Sequence, residues 1–484
     1  MKKRICFILA AVLACSVFAG CGGEPSNVSA PEQQSAQNVP VTEETVPEES
    51  DELPDIGYEG ATFRIYAQEY LTTDYHMFYD IYEQVGSVVN DASFARNRNV
   101  EERFDIHLEY FTGPEREKMT SLYNSIQSGE GTYDLASGFD TATGVSSGML
   151  YDMNKLDHIH LEKSWYRKYV NDEFETLGRQ YGVNGCFDMA TVSRTACTFF
   201  STVLAENYQL GDFYALVREN EWTFDKMFSF AKATADDLNG DGVMTEADQY
   251  GLCGGYNMNS MLIISTGYRF TTKEADGTRK ATGLTELVVD FNKMLYDTYQ
   301  KDWYYNCYKY ENKENHFLDV ALPNFIENRY LFFLQDVSYT QQFSADMDDY
   351  GILPIPKYSA SQDVYMSYCR PSITVIPLDV KDPERSAIIL EALQHESQST
   401  VLPAYYDIAL SHRYASSADA SEMLGIIFSN TACDFAQIWY ITIGVSPNLH
   451  NSIGITDNYA SYFAGVEKTF NANLASIMEK IAGN

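Results

Sequence analysis

Residues 89–111 read VNDASFARNRNVEERFDIHLEYF, a polar segment that runs straight into an apolar one. In the first part Val89, Phe94, Val100 and Phe104 fall broadly on one side of a helix, which predicts an amphipathic α-helix over 89–105. The second part, DIHLEYF (105–111), is rich in β-favouring residues and reads as a strand. Working outward, ATFRIYAQ (61–68) is a strand before the helix. EREKMTSLYNSIQ (115–127) is a second helix, and YDLASGF (133–139) a third strand. Strand, helix, strand, helix, strand is the order of a parallel, doubly wound sheet, with function in the loops at the strands' carboxyl ends.

Farther along, WTFDKMFSFAKATADD (222–237) and TELVVDFNKMLYDTYQ (285–300) are helical, with Thr223 capping the first and Trp222 packing against its own core. RYLFFLQD (329–336), YGILPIP (350–356) and SITVIPLD (372–379) read as strands, and nearly everything after Lys381 is helical. This length exceeds what one core usually holds, so two α/β lobes are expected, with several chain crossings between them.

The N-terminus sets the compartment. Lys2, Lys3 and Arg4 precede ICFILAAVLACSVFA (5–19), an apolar run too short to span a bilayer comfortably, and VFAGC ends at Cys21. This is a bacterial lipoprotein signal: residues 1–20 are removed and Cys21 carries lipid, anchoring the chain to the outer face of the cell membrane. Cleavage removes three basic residues and takes the net charge from −34 to −37. Residues 21–58 form a tether. Its stretch 22–57 holds nine acidic residues and no Lys, Arg or aromatic, so it has nothing to bury. A flexible chain of that length spans about 30–35 Å. The acidic balance excludes nucleic acid and a direct grip on anionic lipid.

Six cysteines follow Cys21 without a framework spacing and read as small buried hydrophobes, Cys186 and Cys197 being the one pair close enough in sequence to suspect. DLNGDGVMTEAD (237–248) matches a calcium-wrapping loop. Asp237, Asn239 and Asp241 supply oxygens at positions 1, 3 and 5, Gly242 makes the turn, and Val243, Thr245 and Asp248 take positions 7, 9 and 12. Asp248 stands where sensor loops use Glu. The loop is neither paired nor duplicated, so it reads as a structural Ca2+ staple on lobe II that leads into a surface return through Tyr250 and Gly251. GVSSG (144–148) has the hydrolase-elbow pattern, but Ser146 lies some seven residues past the strand, where an elbow serine does not sit. His158 and His160 lack a third ligand in register and read as a solvated pair. No Walker, dinucleotide or kinase pattern is present.

Several stretches carry a family resemblance: VNDASFARNRNVEERFDI (89–106), YDLASGF, LYDMNKLD (150–157), EWTFDKM (221–227), the acidic loop followed by DQYGL, YGILPIPKYSASQDVYMSY (350–368) and LEALQHESQSTVLPAYYDIAL (390–410). Together and in order they resemble the sugar-type, family 1-like extracellular solute-binding lipoproteins of bacterial ABC importers, over the whole chain from about residue 60. Two departures, SWY (164–166) where members often show paired Trp and FFSTVLAEN (199–207) where they often show an Asn-Lys step, keep the substrate open. The resemblance implies a two-lobed periplasmic-binding-protein type II fold, α/β, with a ligand cleft between discontinuous lobes: 59–160 with 357–400, and 161–356 with 401–484. It further implies a non-enzymatic monomer that captures a carbohydrate, an oligosaccharide, and hands it to the permease's transmembrane subunits. Sugar rings stack on aromatic faces while their hydroxyls pair with Asp, Asn and Arg, which suits 36 Tyr and 27 Phe, although most such rings belong to cores. By position, the cleft residues are Asp140 and Thr141 after the third strand, Trp165 and Tyr166 at the first crossing, Asp336 and Tyr339 after LFFLQ, and Arg370 before SITVIP. The alternatives are a polysaccharide-active surface enzyme and a non-catalytic adhesive lipoprotein. Two carboxylates about 5–10 Å apart would mark the enzyme.

Overall fold

A computed structural model of the chain describes residues 49–69, 83–114, 118–255, 258–307, 316–343, 347, 350–411, 418–439, 449 and 452–483. The signal segment, Cys21 and most of the tether lie outside these residues. Among the described residues no helix is long and apolar enough to cross a membrane.

The first sheet follows the predicted order. β1 (Ala61–Ala67) lies between β2 (Ile106–Thr112) and β3 (Leu135–Gly138) and is parallel to both. The helix Val88–Phe104 buries Val89, Val100 and Phe104. It stops at Asp105, whose left-handed backbone (φ 47°, ψ 57°) lets its N–H reach the Glu101 carbonyl and turns the chain directly into β2.

The second sheet has the order β10-β4-β9-β5-β8: β4 (Ala196–Ser201), β5 (Tyr250–Gly254), β8 (Tyr304–Asn306), β9 (Tyr330–Asp336) and β10 (Tyr350–Leu353). β9 sits at its centre with all seven residues buried. The expected surface return at Tyr250 and Gly251 is in fact buried strand β5. Gly251 permits this, because a Cβ there would stand 1.8 Å from the Ala231 carbonyl oxygen of the helix Phe224–Thr234. Thr223 caps that helix by accepting from the Lys226 N–H. Trp222 is fully buried, donates from Nε1 to the Pro354 carbonyl at 2.9 Å and packs on Phe213 and Phe332, the core role expected of it. A short antiparallel pair, β6 (Thr271–Lys273) with β7 (Arg279–Ala281), stands apart from both sheets.

The chain passes between the sheets at separate points. Residues 165–187 still belong beside the first sheet: Val183 bridges Thr374, and Asn184 Nδ2 donates to the Ser372 carbonyl at 2.6 Å. The chain then enters β4 after the short helix Met189–Ser193. It returns after β10. Lys357 and Tyr365 still bond to Trp222, and β11 (Ser367–Tyr368) precedes β12 (Ile373–Val375), which joins the first sheet antiparallel to β3. The helices Pro383–Ser399 and Val401–Ser411 both pack on the 88–104 helix, while Ala418–Ser429 packs on β10. β13 (Thr431–Ala432) then pairs with β11 in parallel. The first two passages therefore fall near residues 194 and 369 and the third comes after the helix Val401–Ser411, downstream of the expected lobe limits at 160, 356 and 400, because hydrogen bonds and helix packing hold the intervening segments to the lobe they leave. Thr195 of the first passage and Cys369 of the second form an antiparallel bridge. The six described cysteines are buried free thiols, so the suspected Cys186–Cys197 pair is not joined.

Candidate functional site

Where the passages meet, the carboxyl end of β3 faces two arginines. The Arg194 guanidinium lies over the Phe139 ring at 5.1 Å and that of Arg370 over the same ring at 4.7 Å. Phe139 belongs to the first sheet's loop, Arg194 to the first passage and Arg370 to the second, so one ring ties three segments by cation–π contact. Asp336, the last residue of β9, brings in the second sheet. Burial pushes its carboxyl up, and the nearby Arg194 pulls it back down. It accepts from the Ser338 N–H and hydroxyl. The Val337 N–H donates to the Thr195 carbonyl at 3.0 Å, fastening the end of β9 to the first passage.

Of the residues chosen by position, Arg370 and Asp336 thus meet around Arg194 and Phe139. Asp140 and Thr141 adjoin Phe139 and are buried. The Asp140 carboxylate accepts from Thr143 Oγ1 at 2.7 Å and is raised chiefly by burial, whereas Thr141 Oγ1 is buried without a partner. Tyr339 is half-buried, edge-on to Phe317 with ring centres 5.3 Å apart. Trp165 and Tyr166 are elsewhere. Trp165 Nε1 donates to Glu391 Oε1 at 3.1 Å, Tyr166 Oη donates to Glu391 Oε2 at 2.6 Å, and Trp165 also stacks edge-on against His395. Both rings are buried under the 383–399 helix and offer no face to a ligand in this structure. Ser146 donates to the Thr143 carbonyl, and His158 pairs with Glu384 at 3.0 Å, so neither joins a catalytic or metal cluster.

Arg194 was missed by the positional reading. Its available signal is that Asp188 and Arg194 are the only charged residues between 180 and 205, and a lone charge in an apolar run needs a reason.

A partly open pocket is lined by residues of the 401–411 and 418–429 helices. A cavity of about 290 Å³ is lined by Arg167, Tyr406, Leu424 and Phe428 together with Ser421 and Ser429. Tyr406 and Phe428 stack with centres 5.2 Å apart and planes at 23°. Tyr406 follows Tyr405, whose hydroxyl is pushed up by burial and further by the nearby Asp336 charge. Consecutive residues of one helix thus connect the cavity to the arginine–aspartate cluster.

The 237–248 loop is a self-capped turn. Asp237 accepts from the Gly240 and Gly242 N–H groups at 2.9 and 2.6 Å, Asn239 from Asp241 at 2.8 Å and Asp241 from Val243 at 2.8 Å. This backbone wrap suits calcium. Asp248, however, spends both oxygens on the Leu238 and Thr245 N–H groups and the Thr245 hydroxyl. Among the described residues no three carboxylate, imidazole or thiol groups gather as a metal site. Asp237, Asn239, Asp241 and the Val243 carbonyl fit a hard cation by chemistry, and Asp248 joins them only by giving up its present bonds.

The fold is that of two-lobed periplasmic-binding-protein type II proteins. No protein-family model matches the sequence, and no curated protein matches it either. Among solved structures, the chain is similar to the galacto-N-biose-/lacto-N-biose I-binding protein of the ABC transporter from Bifidobacterium longum in complex with lacto-N-biose, with TM-score 0.57 and 10% identity over 88% of this chain and 98% of that one. It is similar to the sugar-binding protein MalE from Xanthomonas citri, with TM-score 0.55 and 14% identity over 87% and 98%. It is also similar to an ABC substrate-binding protein from Listeria monocytogenes in complex with cycloalternan, with TM-score 0.53 and 13% identity over 87% and 99%.

The Glu391 contact gives a measurable pH dependence. Burial pushes its carboxyl up from 4.5 to about 7, against the hydrogen bonds from Tyr166 and Trp165 that pull it down. The folded protein then keeps a proton that the unfolded chain releases above 4.5. The stability from this group is complete below that pH and is lost as pH rises through about 7. Melting temperatures between pH 5.5 and 8 should therefore fall more steeply for the parent than for Glu391→Gln, which stays neutral throughout. Parallel slopes would contradict this assignment.

Proposed function

We propose that the protein is the carbohydrate-capturing component of an ABC importer, held by lipid on Cys21 at the extracellular face of a bacterial cell membrane and delivering its ligand to the transmembrane permease subunits. The observation that carries this reading is the cluster of Phe139, Arg194, Arg370 and Asp336 at the junction of two discontinuous lobes. A ligand seated there touches both sheets and both passages at once, so binding energy couples to closure of one lobe on the other. The ring and guanidinium groups suit a sugar's C–H face and hydroxyls. The ligands named for the B. longum and L. monocytogenes proteins are carbohydrates, which supports the same class here. Capture needs no bond cleavage, and the protein acts as a monomer.

Titrating the full-length chain in detergent with a panel of oligosaccharides should find one bound at micromolar or tighter affinity and recovered intact. Arg370→Ala should weaken that affinity at least tenfold. Shortened sugars appearing at catalytic protein levels would move the reading to an enzyme, and no binding across the panel would overturn it. Cys21→Ser should leave the chain unprocessed or release it from membranes; a processed mutant retained as fully as the parent would refute the anchor.

We further propose that calcium occupies the 237–248 loop as a staple. Asp241→Ala removes a backbone cap as well as a ligand, so it lowers the melting temperature even without metal; the claim is read from the calcium-dependent increment alone. About 1000-fold excess of calcium over its Kd stabilises by roughly 4 kcal/mol. The parent should show that rise and Asp241→Ala should lose most of it, with sugar affinity within a few-fold of the parent. No calcium-dependent rise in the parent would leave the loop as a self-capped turn.

A further inference from the structure

We infer that the 290 Å³ cavity beside the 418–429 helix receives an oxyanion borne on the ligand, a carboxylate or sulfate of an acidic carbohydrate, with Arg167 as its counter-ion. This rests on the carbohydrate reading above and narrows it.

Among the described residues, Arg167 is the one charged residue in the cavity wall. Its Nη1 lies 3.5 Å from the Tyr169 hydroxyl and the Tyr406 hydroxyl is close to the guanidinium, while Nε and Nη2 are buried with no hydrogen-bond partner among the described residues. Those two nitrogens form one edge of the planar fork, the edge whose parallel N–H groups match the two oxygens of a carboxylate or sulfate. Among the described residues no Asp or Glu pairs with this guanidinium, and its surroundings are Tyr169, Tyr406 and Cys186. That is unusual in a chain with 68 acidic residues against 34 basic ones. Two other enclosed arginines have acidic partners: Arg279 meets Glu173 at 2.8 Å, and Arg385 pairs with Asp134.

A buried cation without a counter-ion is costly, and that cost is recovered when an anion arrives with its own hydrogen-bond acceptors. The rest of the wall fits a sugar carrying that anion. The stacked Tyr406 and Phe428 rings give an apolar face. The Ser421 and Ser429 hydroxyls give polar ones, Ser429 already donating to the Gly425 carbonyl at 2.7 Å and so free to accept. The volume is near the lower end for ligand pockets, room for a single ring rather than a long chain.

The test uses the full-length chain in detergent and pairs of oligosaccharides: galacturonides, glucuronides and mannuronides, and sulfated galactans, each beside its neutral counterpart. The expected result is that an acidic member binds at least tenfold more tightly than its neutral counterpart, and that Arg167→Gln removes that preference. Arg167→Lys, which keeps the charge but not the fork, should restore part of it. Separating the uronate and sulfate arms names the anion. Because Gln removes an uncompensated buried charge, the ligand-free Arg167→Gln protein should melt no lower than the parent, whereas an arginine held for structure would cost stability. A neutral sugar bound as tightly as its acidic counterpart, or affinity within twofold of the parent in Arg167→Gln, overturns the inference while leaving carbohydrate capture standing. No carbohydrate bound by the parent overturns both.

Discussion

The bridge between Thr195 and Cys369 is the contact on which the rest of the molecule hangs. Each sheet is assembled from segments far apart in sequence: β12 completes the first sheet, and β4, β5, β8, β9 and β10 make the second. Neither lobe is a continuous chain, so the strands that pass between them must lie side by side. Their pairing fixes where Arg194 and Arg370 emerge, one on each passage, and both fall on the same Phe139 ring. The Val337–Thr195 hydrogen bond brings the end of β9, with Asp336, to the same place. Chain topology, more than local propensity, thus composes the site.

The aromatic residues divide by their partners. In the second lobe Phe199, Phe325, Phe333 and Phe343 stack among themselves in the core, as do Phe213, Trp222 and Phe332. Those rings hold β4 and β9 together; single cations lie over Phe187, Phe104 and Phe435, whereas Phe139 at the junction carries two arginines and Tyr406 and Phe428 line a cavity. Abundance of Tyr and Phe is therefore weak evidence about ligand, while a ring with arginines on it or space beside it is stronger evidence.

The first sheet was legible in the sequence because its strands and helices alternate over short distances and each has a clear period. β1, β2, β3 and the 88–104 helix sit within a few residues of expectation. β4 and β5 were not legible. Both are buried on both faces, so ACTFFS lacks alternation, and YGLCG contains glycines that look like a turn until Gly251 is seen pressed against Ala231. The site was half legible. Asp336 and Arg370 could be placed because strand ends are where such folds put function. Trp165 and Tyr166 could not, because their burial depends on Glu391, more than 200 residues later. Arg167 and Arg194 acquire meaning only through partners that topology supplies or withholds.

The account stands or falls on where a ligand sits. A crystal structure of the protein with a bound oligosaccharide should show the sugar between the lobes, in contact with the Phe139–Arg370 side and the Asp336 side together. A sugar held on the outer surface of a single lobe, with the Thr195–Cys369 junction untouched, would contradict it.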